Sequence, residues 1–400
     1  MRKRLFIFFS FICVFLHSYG LPKDSIQISL LTVMPRPNEV YTVYGHTAIR
    51  INNLSSHSDL VFNYGTFDSS QPNFIYHFIK GETNYYVEAY YFEIFQYVYG
   101  RENSTVIEQV LNLSEEEKKQ MTSMLLDNLK PENKHYLYDF LFDNCTTRAR
   151  DVIERFSTNG ISYSSQEKPT TFRKLIHSCT DPYPWMTFGI DLLIGNGADS
   201  LISFRHETFL PEKLMLGMEN ATTLNDSLQV IPVVSHTQTI LQSVPDIHSE
   251  SKSFSSPMKI GIILLIHSIV FFICGIIFKR RFRIFWGILF LQAAIAGCII
   301  WFVALVSVHP CTFPNYNMLW LHPFYFILLY TCFINKTYKW ITWLHGTNFV
   351  LLSLLLIFWY FIPQELNTAD IPYILCLWLA SGSWLKIKNY GKLNTKTRIH

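Results

Sequence analysis

Hydrophobic and polar positions divide this 400-residue chain into three regimes. Residues 1–20, MRKRLFIFFSFICVFLHSYG, run from basic to apolar to small and polar, the layout of an export signal or of a retained N-terminal anchor. From about residue 26 to 230, short apolar stretches with strand and helix periods alternate with polar ones, as in a single mixed α/β domain. Ile26–Val33 reads as a largely apolar strand. Residues 46–52 and 59–65, joined by the polar NLSSHS, read as a β-hairpin, and 85–91 and 104–111 have the aromatic and β-branched content of further strands. A short helix is expected over 92–99. Ser114 and Glu117 fit a capping box at the start of a helix that Lys130-Pro131 stops. Residues 233–257 lose apolar periodicity and read as a strand remnant followed by a linker. Beyond Pro257 come apolar segments at 258–278, 284–307, 318–334, 340–362 and 371–385, each near the length of a membrane-spanning helix and the last the weakest.

The charges between these segments orient them. KRRFR, NKTYK and KIKNYGK are basic, whereas HPCTFPNYN and PQELNTAD are neutral or acidic. This alternation obeys the positive-inside rule if the domain before the spans faces outward, the side to which an export signal would also deliver it. The composition agrees: 49% of residues are hydrophobic and 16% charged. A net charge of +3, with no basic stripe carrying interleaved aromatics, gives no reason to expect a nucleic-acid partner. Of eight cysteines only Cys145 and Cys179 fall between the export segment and the first span, enough for one disulfide but not a framework. CxxC and HExxH motifs are absent, which argues against a structural zinc site or a zincin. The G-x-G at 195–197 follows no clear strand, so it is read as a tight loop rather than a nucleotide site.

The stretch with most chemistry is DFLFDNCTTRARDVIERF (139–156). Ala149, Val152, Ile153 and Phe156 recur at helical spacing on the face that carries Cys145, and Asn159-Gly160 closes the helix. A thiol in the first turn of a helix meets unsatisfied backbone N–H groups and the positive end of the dipole, which favour thiolate; Arg148 and Arg150 lie in the same turns. The competing reading is a structural cysteine at a strand–helix junction. His46, in GHTAIR, begins a strand after a glycine that permits close backbone approach. Cross-strand pairing with Asn63 would put the amide on the same face, holding one ring nitrogen while the other meets a thiol; a slip of one residue would give that role to Tyr64. Cysteine, histidine and asparagine form a nucleophilic constellation. Here the histidine strand precedes the cysteine helix, the reverse of the usual papain order. That resembles the circularly permuted papain-like group, which includes NlpC relatives and the lecithin–retinol acyltransferase type, where an asparagine also precedes the cysteine.

More specifically, the chain resembles the Lnb family of bacterial lipoprotein N-acyltransferases. The resemblance rests on YGHTAIR (44–50), LVFNYGTFD (60–68), NLSEEEK (112–118), YDFLFDNCTTRARD (138–151), TFRKLIH (171–177), WMTFGIDLLIGNGAD (185–199), FLPEKLM (209–215) and, in the membrane part, HPCTFPNYNMLWLHPF (309–324). It implies an α+β fold: a circularly permuted papain-like periplasmic domain (25–232) after a signal or anchor (1–20), a linker (233–257), a five-helix transmembrane domain (258–386) and a basic cytoplasmic tail (387–400), in the bacterial inner membrane. It implies Cys145 as nucleophile, His46 as base and Asn63 as orienter. The acyl group would come from a membrane glycerolipid through a thioester and pass to the α-amine of diacylglyceryl-cysteine lipoproteins, with no metal or cofactor. Asn144, Thr146, Arg148 and Tyr64 are candidate substrate-binding residues. So are His309 and Asn317, which cluster with Asn315 and His322 at the outward end of spans two and three, where interfacial hydration is the plainer role. The rival readings are a cell-wall amidopeptidase, a phospholipase and a non-enzymatic membrane assembly protein.

Overall fold

The computed structural model describes residues 26–36, 42–164, 168–244, 255–334 and 338–386; the export segment 1–20 and the tail 387–400 lie outside them. Strand β1 (Ile26–Val33) has six consecutive buried residues, because both faces of the sheet it centres are covered. It pairs with β2 (His46–Asn53), which turns into β3 (Ser58–Thr66). With β4 (Asn84–Tyr91), β5 (Val106–Leu111), β6 (His135–Leu137) and β7 (Val234–Leu241), they form a seven-stranded sheet in the order β7-β5-β1-β2-β3-β4-β6, all neighbours antiparallel. The expected strands are present with small shifts at their ends.

Four helices belong to the first half of this domain: α1 (Phe74–Lys80), α2 (Phe92–Arg101), α3 (Glu115–Asp127) and α4 (Cys145–Phe156). Helix α3 opens with the expected capping box: the Ser114 hydroxyl accepts from Glu117 N–H, and the Glu117 carboxylate accepts from Ser114 N–H at 2.8 Å. One face of the sheet, with Ile28, Leu30, Ile49, Ile51 and Phe62, packs on Met121 and Leu125 of α3 and on Ala149, Val152 and Ile153 of α4. The other face, with Leu31, Val33, Ala48 and Val61, is covered by Phe92 and Phe95 of α2. The strand period of two thus meets the helical period of α4, the arrangement that Ala149, Val152 and Ile153 predict.

Two stretches differ from expectation. Residues 234–241, read as a strand remnant in a linker, form the full edge strand β7, so the sheet-bearing domain runs beyond residue 232. Its side chains are mostly exposed and its pairing comes from backbone bonds to β5, which leave no apolar trace in the sequence. The second is the segment 318–334, expected to be one span. Only Tyr325–Phe333 is α-helical; before it lie a short 3-10 turn at Tyr316–Leu319 and the break at His322-Pro323. This irregular backbone is buried in protein: a Cβ on Gly297 would come within 2.5 Å of His322 N, so the missing side chain lets the segment press against the neighbouring helix. Backbone without regular bonding is tolerated at membrane depth where protein covers it.

The remaining helices are α5 (Phe172–Thr180), α6 (Pro184–Leu193) and α7 (Pro211–Glu219), then α8 (Pro257–Ile277), α9 (Arg283–Val306), α10 (Tyr325–Phe333), α11 (Lys339–Ile357) and α12 (Asp370–Lys386). Among the described residues, α8, α9 and α11 are long and apolar enough to cross a membrane. A polar seam fixes the sheet domain on these helices. Arg173 of α5, wholly buried, donates to Asp191 Oδ1 (2.7 Å) and Asp199 Oδ1 (2.6 Å). Asp191 also meets His177 Nε2 (2.8 Å) and Asn367 Nδ2 (2.8 Å), and its backbone carbonyl accepts from Asn317 Nδ2 (2.9 Å). Gly195 N–H donates to Cys311 O (2.6 Å); a Cβ there would lie 2.2 Å from Pro314 O. The glycine loop of WMTFGIDLLIGNGAD is therefore a docking surface for HPCTFPNYN.

Candidate active site

Cys145 is the first residue of α4. Asn144 precedes it as N-cap, its Oδ1 accepting from Thr146 N–H (2.8 Å) and Thr147 N–H (2.9 Å), while Thr147 Oγ1 accepts from Asn144 N–H (2.8 Å). Asn144 Nδ2 ties the cap to Phe140 O (2.7 Å) and Phe209 O (3.0 Å), and Asp139 Oδ1 accepts from Leu141 and Phe142 N–H (2.9 Å each). The turn that presents the sulfur is thus fixed from both sides.

His46 is the first residue of β2. Gly45 before it takes φ +78°, and a Cβ there would strike Val33 O at 2.5 Å, so only glycine turns the chain into the strand this tightly. The ladder pairs Ile49 with Phe62; extended to the strand end, that register sets Ala48 opposite Asn63 and His46 opposite Gly65. His46 and Asn63 are therefore diagonal rather than direct neighbours, within reach of each other's side chains. His46 Nε2 donates to Asn63 Oδ1. That bond keeps a proton on Nε2, and the same imidazole also hydrogen-bonds the Cys145 thiol.

Burial pushes the Cys145 thiol up from its ordinary value of 9.0. The His46 charge and hydrogen bond, Thr47 N–H and the Thr146 hydroxyl outweigh it and bring the thiol down to about 7. Burial likewise disfavours imidazolium, but the charge of Cys145 and the bonds to Cys145 and Asn63 raise His46 above its ordinary value. The two shifts share one cause, the mutual attraction of thiolate and imidazolium at this pair.

Both groups open into a cavity of about 600 Å³. Asn63, Asn144 and Thr146 line it with them, and aromatic and aliphatic side chains such as Tyr44, Phe67, Phe140 and Phe209 dominate its wall. The lining continues to Ile299 and Val303 of α9 and to His309 and Thr312 in the loop after it. Thr146 is buried, its hydroxyl 3.1 Å from that of Thr47 and 3.7 Å from Cys145 Sγ. His309 donates from Nε2 to Phe78 O (2.8 Å). Three expected substrate contacts lie outside the cavity. Tyr64 points into the core, its hydroxyl accepting from Asn128 Nδ2 (2.7 Å). Arg148 makes a two-pronged ion pair with Asp143 (2.6 and 2.7 Å) and lies 3.5 Å above the Tyr136 ring, so its charge is already matched. Asn317 is buried in the seam, where it also accepts from Trp320 Nε1 (3.0 Å).

Sequence reasoning passed over Thr47 and Gly65. Thr47 serves the thiol through its backbone, which no side-chain pattern reports. Gly65 takes φ +94°, which L side chains rarely adopt, at the point where β3 packs against the Cys145 turn; a Cβ there would make an ordinary 3.5 Å contact with that of Cys145, so the backbone angle rather than the space calls for glycine. Cys145 and Cys179 are both free thiols, so the disulfide open to them is not formed. Among the described residues no group of three or more His, Cys, Asp or Glu could hold a metal ion.

No curated protein and no solved structure matches the chain. Two family models do: the Lnb N-terminal periplasmic domain over residues 21–178 and the Lnb transmembrane domain over residues 249–391. The two matches follow one another along the chain as the sheet domain and the membrane helices do. The first contains His46, Asn63 and Cys145, and the second contains Ile299, Val303 and His309. The chain therefore belongs to the Lnb family, membrane proteins of lipoprotein modification that carry a periplasmic domain.

Proposed function

We propose that this protein is a lipoprotein N-acyltransferase of the bacterial inner membrane, with a permuted papain-like catalytic domain in the periplasm and a multi-pass membrane domain beneath it. The observation that carries the reading is the junction of two features in one cavity. A cysteine activated by a histidine–asparagine pair stands in a space whose apolar lining continues onto a membrane-spanning helix. Activated cysteines serve many hydrolases, but a peptide-cleaving site has no use for apolar walls that reach the bilayer.

In this scheme the Cys145 thiolate attacks an ester carbonyl of a membrane glycerolipid. The oxyanion forms beside the backbone N–H of Cys145 at the helix start. As the C–O bond breaks, His46 returns its proton to the departing glycerol oxygen, leaving a lysolipid and an acyl thioester. The α-amine of a diacylglyceryl-cysteine then attacks the thioester carbonyl, His46 accepts the amine proton, and collapse expels the Cys145 thiolate and releases the amide. Asn63 keeps the ring in the tautomer both halves need. Asn144 and Thr146 hold the nucleophile's turn, and His309 borders the substrate at the membrane side. The thioester stores the ester's acyl potential, so the residues present suffice without a metal or cofactor.

The test is to incubate the protein in phospholipid bilayers and measure its intact mass. An acyl adduct on Cys145, removed by mild hydroxylamine, is expected; adding a diacylglyceryl-cysteine peptide should discharge it into N-acylated peptide. Discharge to free fatty acid at the same rate without the amine would make the protein a phospholipase. Full N-acylation by Cys145→Ser, in cells lacking other acyltransferases, would remove the covalent scheme.

A further inference from the structure

Helix α1 has no part in the chemistry above and buries none of its residues. Ile75 is 71% exposed, and Tyr76 and Phe78 are nearly half exposed. Phe67, also exposed, stacks on Phe74, and Phe74 on Phe78, so the surface is a contiguous aromatic patch rather than scattered apolar residues. Its position decides what covers it. The Tyr76 ring meets Phe302 of α9 with centroids 6.0 Å apart. Ser307 Oγ donates to Ile79 O (2.8 Å), Val308 N–H to Lys80 O (2.9 Å) and His309 Nε2 to Phe78 O (2.8 Å), so α1 is fastened to the outer end of a membrane-spanning helix. The exposed Ile295, Ile299, Leu305 and Val306 of α9 continue the apolar surface downward.

The catalytic cavity reaches this same junction. Phe78 and Ile79 of α1 line it, and so do Ile299 and Val303 of α9. At 1.5 Å per residue, Ile299 lies about 10 Å below the outer end of α9, at the depth of acyl chains rather than headgroups.

We propose that α1 is immersed in the outer leaflet of the bilayer and forms with α9 a lateral doorway, through which the donor's acyl chain slides from the membrane to Cys145 without crossing water. Ile299 and Val303 bound the far end and limit the chain length accepted. The chain-length part rests on the acyl-transfer reading above; the immersion of α1 does not. A lateral route suits a lipid because every methylene drawn through water adds to the barrier, whereas passage between two apolar walls exposes none.

Two measurements on the full-length protein in phosphatidylethanolamine–phosphatidylglycerol vesicles test this. The fluorescence that Ile75→Trp adds to that of the nine native tryptophans should be quenched by brominated acyl chains. The fluorescence that Leu54→Trp adds should not be, because Leu54 sits in the hairpin turn at the far end of β2, about 26 Å of strand away from His46. A phospholipid with a diazirine at its chain terminus should crosslink to Phe78, Ile79, Ile299 and Val303 in Cys145→Ser, where no transfer can occur. Val303→Trp should lose the crosslinks on α9 and shift thioester formation on otherwise native protein toward shorter chains by tenfold or more. Quenching of Ile75→Trp no stronger than that of Leu54→Trp, or crosslinks absent from both helices, would overturn the proposal even if Cys145 becomes acylated. Quenching and crosslinking without any Cys145 adduct would leave the doorway standing and remove the transferase reading instead.

Discussion

Replacing His46 with alanine takes away the group that most lowers the Cys145 thiol and leaves the burial that raises it. With His46 present the thiol titrates at about 7, so about half is thiolate at neutral pH. Without it the thiol rises toward its ordinary 9.0, where roughly one molecule in a hundred is thiolate at pH 7, and only Thr47 N–H and the Thr146 hydroxyl remain to oppose burial. A full return to that value would cost about fiftyfold in reactive sulfur, an upward displacement of roughly 2.7 kcal/mol against the thiolate. The assay is the rate of alkylation by iodoacetamide as a function of pH, followed by intact mass, which needs neither lipid nor acceptor. Native protein should show a midpoint near 7; His46→Ala should react slowly at neutral pH and recover only in alkaline buffer. A variant that keeps the native midpoint would refute the imidazole as the cause of the shift and return Cys145 to the status of a structural thiol.

Asn63→Ala should leave the fold intact but free the His46 ring, costing about ten- to a hundredfold in the rate of thioester formation and moving the alkylation midpoint upward; an unchanged midpoint and rate would deny Asn63 its role. Arg173→Met leaves Asp191 and Asp199 without their shared cation and should cost about 3–5 kcal/mol, read as a lowered thermal transition with the sheet domain loosening first from the membrane helices; native melting would contradict the seam as drawn. His177 has its pKa raised, first by its hydrogen bond to Asp191, so its contribution to the seam is whole below the ordinary histidine range and fades as pH climbs through the raised value. The melting difference between native protein and His177→Gln should therefore be largest below the ordinary histidine range and shrink as pH rises above it, and a difference that grows instead would reverse the assignment.

How much of this was readable from residues alone depended on the range of the forces involved. Ser114 with Glu117, and Asn144 with the N–H groups that follow it, cap their helices through neighbours within one turn. The sequence accordingly located α3 and the Cys145 turn correctly. Apolar, aromatic and β-branched runs placed β1 to β5, and each residue's side of the sheet then follows from its own parity. Helix α1 was missed because FIYHFIK is two turns long, too short to show a period, and carries no capping side chain; what it packs on is an apolar helix far along the chain. Arg148 and Tyr64, plausible as substrate contacts by position, were already matched to Asp143 and Asn128.

By itself the sequence located most of the strands and helices of the sheet domain, the apolar character of the segments after Pro257, and which thiol and imidazole are candidates. These follow from local propensity and periodicity. Only the tertiary structure decided that His46 reaches Asn63 diagonally, that the Cys145 turn packs against β3 at Gly65, that 234–241 completes the sheet, and that the cavity opens toward α9. Each of these depends on backbone approach between distant segments, and close approach is set by packing and hydrogen-bond closure, which no run of side chains spells out on its own.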